Sequence, residues 1–525
     1  MNSSSTIINN YYKQAIEYVN KNDYLSSVDI YKKILNEPLN ITDKNKYLME
    51  LGNIYEKLDM YYKAITECYV IIIQSEPYNG VILNQIGVCY SNINDIKLAI
   101  HYFKKVLNIA EIPDVYCNIG VCYQKINDYD NAELQFFKAH KLDINNSKII
   151  HGLANIYYIN KKYDKAIEYF NKIKGYNDNP QMMYDTAFSQ LGKQNFEAGF
   201  KLYECRLLFN NINPQTKLIE RLEIPSIKLW DGNGKCNKLL IVSEQGFGDN
   251  IQYYRFIVEL SHVYPDMVIH YFCKKEIAHL FKTYKNIHII DNVIINTFDS
   301  NNNPIFTYDY KIYIMSLPFI LRLDKIHPNK VNYINTDETM IHKWKDNFKH
   351  LKKYKVGFVY NGLLSSFIEK YIPLIDFEIF TDLDIELICI HKKSDILTDI
   401  SNLSNKVKEK IHFYDIDNDQ PFVDTIHILL NIDLLITIDT YIVHLAGILN
   451  IKTWLLLGNY SEWRWSNRDV TYWYSSVELI RMKEKKELKN ILGVVKKKLM
   501  DVLDNQKVNL ILDKQKLYES FVYEI

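Results

Sequence analysis

The chain has 525 residues, too many for one ordinary core, so two or more domains are expected. Lysine plus arginine and aspartate plus glutamate number 63 each, so the charge balance gives no reason to expect nucleic acid or an anionic membrane as partner. The start, Met1 to Thr6, is polar and has no basic stretch leading into an apolar core, so it is not read as a secretory signal. The longest apolar stretches, around 434–457, carry Asp439, His444 and Lys452; they suit a buried core rather than a membrane span. Eight scattered cysteines (Cys68, Cys89, Cys117, Cys122, Cys205, Cys236, Cys273 and Cys389) form no C-x-x-C pair. Buried thiols in a reducing compartment, and hence a soluble cytoplasmic protein, are expected, without a zinc site.

From the N-terminus, small residues recur at Ala15, Gly52, Gly87, Gly120, Ala154 and Ala187, and again at Ser27, Ala64, Ala99, Ala132, Ala166 and Gly199. Both series have gaps of 37, 35, 33, 34 and 33 residues. Tyrosines follow the first series by three (Tyr18, Tyr55, Tyr90, Tyr123, Tyr157). Aromatics follow the second by four (Tyr31, Phe103, Phe136, Phe170, Tyr203), with Cys68 the exception. This is the tetratricopeptide period, in which each repeat is a pair of antiparallel helices. Small residues let the helices approach, aromatics fill the gap to the next pair, and stacking is obligatory because one pair cannot bury its own face. Five good repeats and a degenerate sixth are counted, ending near Arg206, and their concave face is expected to bind a protein or peptide. Asn84, Asn118 and Asn155 recur near first-helix positions, as solvated side chains or as groups able to hold a peptide backbone.

After Leu222-Glu-Ile-Pro225 the pattern changes to alternating strands and helices. Strands are expected at 239–243, 267–272, 287–291 and 309–316, with helices over 251–260 and 274–285. A second series starts at Lys355-Val-Gly-Phe-Val-Tyr360 and continues near 384–390, 411–415, 434–439 and 453–457. Alternation of this kind implies parallel sheets. Two series, each opening on a strand with a Gly-containing turn, imply two Rossmann-like lobes facing one cleft, joined by 319–352. The domains are read as 1–210 (repeats), 225–350, 351–482 and a tail, 483–525, with a helix packed back on the lobes. The fold class is thus an all-α tetratricopeptide array followed by two α/β lobes.

Two strand-to-helix turns carry the chemistry. In Glu244-Gln-Gly-Phe-Gly-Asp249 the glycines let backbone approach a substrate closely, and Asp249 falls at a helix N-terminus. It caps that helix or does more. In Asp433-Leu-Leu-Ile-Thr-Ile-Asp439-Thr440-Tyr-Ile-Val-His444, an apolar run ends on Asp-Thr and a helix begins at once. Thr440 can offer a hydroxyl and a backbone amide to a phosphate, Asp439 can accept from a ribose or order the loop, and His444 lies one turn on, on the same face. The alternative is a capped core helix with a satisfied histidine. Trp463-Arg464-Trp465 combines sugar-packing rings with a cation, or anchors the last lobe. Asp382-Leu-Asp384 precedes a strand and reads as a turn; Asp415-Ile-Asp417-Asn-Asp419 follows one and is the better metal candidate, but its Asn, Gln and Pro neighbours favour a solvated loop.

The co-linear set resembles bacterial tetratricopeptide proteins whose C-terminal part belongs with heptosyltransferase-like glycosyltransferases of the GT-B fold. It runs through Phe196 to Arg206, Glu244 to Asp249 with Arg255, Ser316-Leu-Pro318, Val356 to Asn361, Asp424-Thr425, Asp439 to Gly447, Trp463-Arg-Trp465 and Trp473-Tyr474. The domain order is also similar to that of O-linked N-acetylglucosamine transferases. The resemblance implies inverting transfer from a nucleotide sugar, with no metal or other cofactor. It makes Asp249 the base toward an acceptor hydroxyl, with Glu244 as rival or as a packing group. It sets Gln245, Gly246, Gly248, Asn361, Lys370, Asp439, Thr440 and His444 around the nucleotide sugar, with Lys370 compensating the leaving diphosphate. The loop before Lys370 departs from the family: Leu363-Leu364 and Phe367 stand where relatives are more polar, and relatives usually carry Arg at the place of Lys370. Two functions follow: a glycosyltransferase whose repeats recruit a protein acceptor, or a repeat scaffold whose transferase part is inactive.

Overall fold

A computed structural model describes residues 2–173, 175, 179–209, 227–290, 308–362, 370–458, 461–465, 469–482 and 488–505. The chain divides into two compact units, 1–182 and 183–525.

The first unit is five helix pairs. They are Asn2–Asn20 with Tyr24–Leu35, Ile41–Lys57 with 61–75, Gly80–Asn92 with Ile96–Leu107, Pro113–Lys125 with Tyr129–Leu142, and Ser147–Ile159 with Tyr163–Asn171. Each turn inside a pair carries one left-handed residue: Asn22, Asp59, Asn94, Asn127 and Lys161, then Gln194 in the next pair. These positions repeat the gaps of the two small-residue series. Three are asparagine and one is aspartate, the non-glycine residues best able to adopt that conformation. Aspartates cap second helices: Asp23 accepts from the Ser26 N–H, Asp95 from Leu98 and Asp128 from Asn131.

The small positions work by close approach. A methyl on Gly87 would lie 2.6 Å from the Phe103 ring, and one on Gly120 would lie 2.8 Å from Phe136. The aromatic therefore seats on the glycine of its own repeat; Phe136 also seats on Gly152 of the next. The rings thus pack within their own pair as well as toward the next. The Cys68 exception has a backbone cause. Ala64–Tyr69 is a π-helix within 61–75, one residue wider per turn than an α-helix. That extra residue rotates Tyr69 into the aromatic place, where its ring lies 2.5 Å from a methyl built on Gly52. Its hydroxyl then reaches Asn53 at 3.1 Å and Glu56. Asn118 Nδ2 donates to Asn84 Oδ1 at 3.2 Å, so two of the three recurring asparagines pair with each other.

The sixth pair, Pro180–Gly192 and Phe196–Tyr203, places most of its residues in the second unit. Phe200 packs edge-on to Trp463 and Phe196 to Tyr472. Around it stand two parallel sheets. The first holds β1 (Lys238–Val242), β2 (Val268–Phe272), β3 (Ile287–Ile290) and β4 (Tyr310–Tyr313), in the order β3-β2-β1-β4. The second holds β5 (Tyr354–Val359), β6 (Ile385–Cys389), β7 (Ile411–Phe413), β8 (Leu434–Ile438), β9 (Thr453–Leu457) and β10 (Val477–Arg481), in the order β10-β9-β8-β5-β6-β7. Both orders reverse direction beside their first strand, at β1/β4 and β5/β8. Such reversals open a crevice at the carboxyl ends of the strands. β8 and β9 are buried at every position, as strands covered on both faces must be.

Several elements depart from expectation. The strand expected over 309–316 stops at Tyr313 and becomes a 3-10 turn, Ile314–Ser316. The helix expected over 274–285 is only Lys275–Ala278. β10 was not expected; its alternation is short and follows two tryptophans. Residues 491–505 form a helix whose Ile491, Leu492, Val495 and Leu499 join the main core. Asp417 is not a solvated loop residue: it accepts from the Thr425 N–H at 3.2 Å and hydroxyl at 2.6 Å, and burial raises its pKa. Among the described residues no group of metal-ligating side chains is assembled, and no helix is long and apolar enough to cross a membrane.

Candidate functional site

The turn after β1 is fixed from below by a buried ion pair. Arg206 Nη2 donates to Glu244 Oε1 at 2.6 Å and its Nε donates to Oε2 at 3.2 Å. Burial opposes the Arg206 charge, but Glu244 and Glu204 more than offset it and raise its pKa. The Met315 N–H donates to Glu244 at 3.1 Å, and Arg206 Nη2 also donates to Ser316 Oγ at 2.8 Å. Glu244, the rival base, is thus saturated and structural. The network ties together Arg206, Glu244 and Ser316, which lie in three separated segments of the sequence.

From Glu244 the chain enters Gln245 with φ +66°, and the helix Phe247–Val263 begins. Asn250, which the sequence did not single out, locks this turn: its Nδ2 donates to the carbonyls of Glu244 (2.9 Å) and Gly246 (2.8 Å). Only its place beside the Gly-Asp pair marked it. Asp249 Oδ2 accepts the Gly246 N–H at 3.2 Å, the capping role. Its Oδ1 accepts from Arg464 Nη2 at 3.0 Å. Arg255 lies farther along the helix, paired with Glu259 at 3.1 Å and donating to the His327 carbonyl.

In the second sheet, Thr440 caps the helix Tyr441–Ile448, its Oγ1 accepting from the Ile442 N–H at 3.3 Å. The hydroxyl proton is not used by that bond. Asp439 pairs with Lys370 at 3.2 Å. Burial lowers the Lys370 pKa, but Asp439 and Glu462 raise it further, so it stays charged. A methyl on Gly362 would lie 2.9 Å from Thr440 Cγ2, which presses the strand β5 exit onto the Thr440 cap. Asn361 is exposed and bridges to Tyr371 through backbone. Leu363, Leu364 and Phe367 lie outside the described residues. His444 is buried, stacks on Trp465 with centroids 5.5 Å apart and contacts the Tyr474 hydroxyl through Nδ1 at 3.0 Å. Burial, followed by the Arg464 charge, lowers its pKa to about 3, so it is a neutral imidazole.

The two turns meet. A methyl on Gly248 would lie 3.1 Å from His444 Cδ2 and 3.4 Å from Tyr441 Cα. Phe247 packs edge-on to Phe422, and Phe422 to Tyr441. Arg464 spans the junction, donating to Asp249 and, through Nη1, to Gln252 Oε1 at 3.0 Å. Asp249, Lys370, Asp439, Thr440, His444, Gly248 and Arg464 therefore share one region. Gln245 and Gly246 form its floor turn, and Asn361 sits at an exposed edge.

Six turn positions with one period, caps and glycine–aromatic seats define the N-terminal part as a tetratricopeptide array, followed by two parallel sheets. The model of the Tetratricopeptide repeat family matches residues 81–112, 113–143 and 147–180. Among solved structures, the chain is similar to a tetratricopeptide repeat protein from Parabacteroides merdae, with 16% identity, 49% of this chain and 87% of that one covered, and a TM-score of 0.35. It is also similar to PilW, titled a widely conserved type IV pilus biogenesis factor (18% identity, 40% and 94% covered, TM-score 0.34). A third is MamA from Desulfovibrio magneticus (18% identity, 33% and 95% covered, TM-score 0.29). Likenesses of this size carry no inference about function. No curated protein sequence matches the chain.

Proposed function

We propose that the second unit is a GT-B glycosyltransferase that moves a sugar, with inversion, from a nucleotide sugar to an acceptor hydroxyl, and that the repeats recruit a protein acceptor or partner. The observation that carries this reading is the contact of Gly248 with His444, since it brings together the turns that follow β1 and β8, each beside the switch point of its own sheet. Doubly wound sheets bind ligands at such points. In this reading the domains are 1–210, an acceptor-side lobe over 225–350, a donor-side lobe over 351–482 and the tail 483–525. Asp249 is the base. Lys370, the Thr440 hydroxyl and the first amides of its helix hold the diphosphate, and Asp439 orders Lys370. His444, neutral and fixed by Tyr474, offers its Nε2 side rather than a charge. Gln245, Gly246 and Gly248 supply close backbone approach, and Asn361 flanks the donor. The reaction needs no metal, because helix termini and cations neutralise the diphosphate.

A second reading rests on a specific observation: both cleft cations are already paired within the chain, Lys370 with Asp439 and Arg464 with Asp249. A scaffold whose transferase part is inactive would look like this. Titration calorimetry of the full chain with nucleotide sugars and nucleoside diphosphates separates the two. Binding followed by transfer that Asp249→Asn abolishes, with little loss of binding, supports the enzyme. A folded chain that binds none of them is the scaffold.

A further inference from the structure

Arg464 donates to Asp249 and Gln252, yet buried N–H groups at and beside it have no aligned acceptor. Its side chain is 14% exposed, and its Nε is fully buried without an aligned acceptor; Glu462 Oε2 lies 2.7 Å away but off the hydrogen-bond direction. Gln252 is wholly buried, and its Oε1 takes the Arg464 proton. Because a guanidinium only donates, the oxygen must face it, so Gln252 Nε2 is the unpaired end of the amide, and it has no partner among the described residues. The indole N–H of the adjacent Trp465, stacked on His444, is likewise buried and unpartnered. Two orphan N–H groups, one on the amide bonded to this guanidinium and one on its chain neighbour, beside an Nε out of line with its carboxylate, are unusual in a native interior, where nearly every buried donor is satisfied. What they lack in common is a compact acceptor with several lone pairs and negative charge.

We infer that Arg464, with Gln252 and Trp465, forms an oxyanion seat in the cleft, which Asp249 and Glu462 occupy with their carboxylates until a phosphate-bearing ligand displaces them. The inference rests on the glycosyltransferase reading for what the ligand is, and on the donors alone for the seat. Asp249 and Glu462 are the neighbours best suited to yield. Glu462 is 31% exposed and can turn into water. Asp249 keeps its Oδ2 bond to the Gly246 N–H when its Oδ1 gives up Arg464 to the ligand. Loss of that ion pair frees Oδ1, the oxygen an incoming hydroxyl would need. Ligand entry and availability of the base are thereby coupled through one side chain. The Lys370 ammonium feels the charges of both Glu462 and Arg464, so the two cations belong to one electrostatic region.

The test is calorimetric binding of inorganic pyrophosphate and inorganic phosphate to the full chain, with circular dichroism to confirm folding. Arg464→Gln should weaken pyrophosphate binding by about tenfold or more, the loss of one charge-assisted donor set. Trp465→Phe should weaken it less, and Asp249→Asn should strengthen it, because a competing carboxylate is removed. If the seat serves the diphosphate of the donor, Lys370→Gln weakens the same binding non-additively with Arg464→Gln. If it serves an anionic acceptor, Arg464→Gln weakens phosphate binding and Lys370→Gln does not. The seat is overturned if the wild-type chain binds no pyrophosphate, if Arg464→Gln binds it undiminished, or if Asp249→Asn binds it no better. Should Arg464→Gln fail to fold, Asp249→Asn and Trp465→Phe decide alone. Pyrophosphate binding that depends on Arg464 in a chain that binds no nucleotide sugar leaves the seat standing and removes the glycosyltransferase reading. Nucleotide-sugar binding that ignores Arg464 does the reverse.

Discussion

In the repeat array Gly87 and Phe103 meet across the short turn that joins the two helices of one pair, whereas in the second unit Arg206 meets Glu244 38 residues away and Ser316 110 residues away. The array buries its apolar surface by repeating one local contact. The sheets bury theirs by gathering segments that share no period. An array of local contacts tolerates an irregular member, because each repeat answers only to its neighbours. The π-helix at Ala64–Tyr69 is such a member: an extra residue is absorbed within one helix and the aromatic seat is kept. The Arg206 network has no such freedom, since one atom, Glu244 Oε1, accepts from both Arg206 and Met315.

The largest expected effect follows from that contrast. Glu244→Ala leaves the buried Arg206 with Glu204 as its remaining counter-charge and takes the acceptor from the Met315 N–H, which costs up to about 3–5 kcal/mol. The loss should appear as lower urea stability and faster amide exchange in both sheets at once. A loss confined to the β1 turn would break the contrast. Tyr69→Ala should cost about 3–4 kcal/mol, as for other large-to-small changes at fully buried rings. Here amide exchange should quicken in the repeats that contact Tyr69 and leave the sheets unchanged. Deleting Cys68 sharpens the same point. It sets Tyr69 four residues after Ala64, the ordinary spacing, so the array should stay folded and lose less stability than with Tyr69→Ala.

The ease with which each region could be read from sequence follows the same division. The helix pairs were legible because their signal recurs six times, so that one deviant, Cys68, could not hide it. Why it deviates was not legible, since a π-turn carries no residue signature of its own. Most strands were legible as apolar runs, and Asp249, Asp439 and Thr440 fell at helix starts as their residue types demand. The partners were not legible. Nothing in the order of residues says that Arg464 would reach Asp249, 215 positions away, or that Asn250 would lock the turn beneath it. Asp417 was read as solvated because its neighbours are polar, while its burial depends on Thr425 folding back over it.

A smaller effect depends on pH. The His444 pKa falls from its ordinary value near 6.5 to about 3, and burial likewise takes His391 to about 4. Between pH 6.5 and these values the unfolded chain binds protons that the folded chain refuses. The stability that neutral His444 contributes is therefore present above pH 6.5 and lost as pH falls toward 3, at no more than about 1.4 kcal/mol per pH unit for one group. His444→Gln should flatten the fall of urea stability with acid in the second unit, while the array keeps its own profile. An unchanged slope would mean that His444 is protonated in the folded chain.

The smallest effect is the most discriminating. Thr440→Ala removes one helix cap and should cost about 1 kcal/mol. Thr440→Ser keeps the hydroxyl but removes the Cγ2 methyl that presses on Gly362. If Thr440 is only a cap, the alanine variant loses that small stability and the serine variant almost none, and neither alters any binding. If Thr440 also holds a diphosphate, the alanine variant loses nucleoside diphosphate affinity by more than its stability change accounts for, and serine restores it. The comparison needs both variants, because Gly362 touches Thr440 and donates its N–H to the Lys370 carbonyl at 3.0 Å. A loss of affinity in both would point to the methyl and its contact with Gly362, and a loss in alanine alone to the hydroxyl.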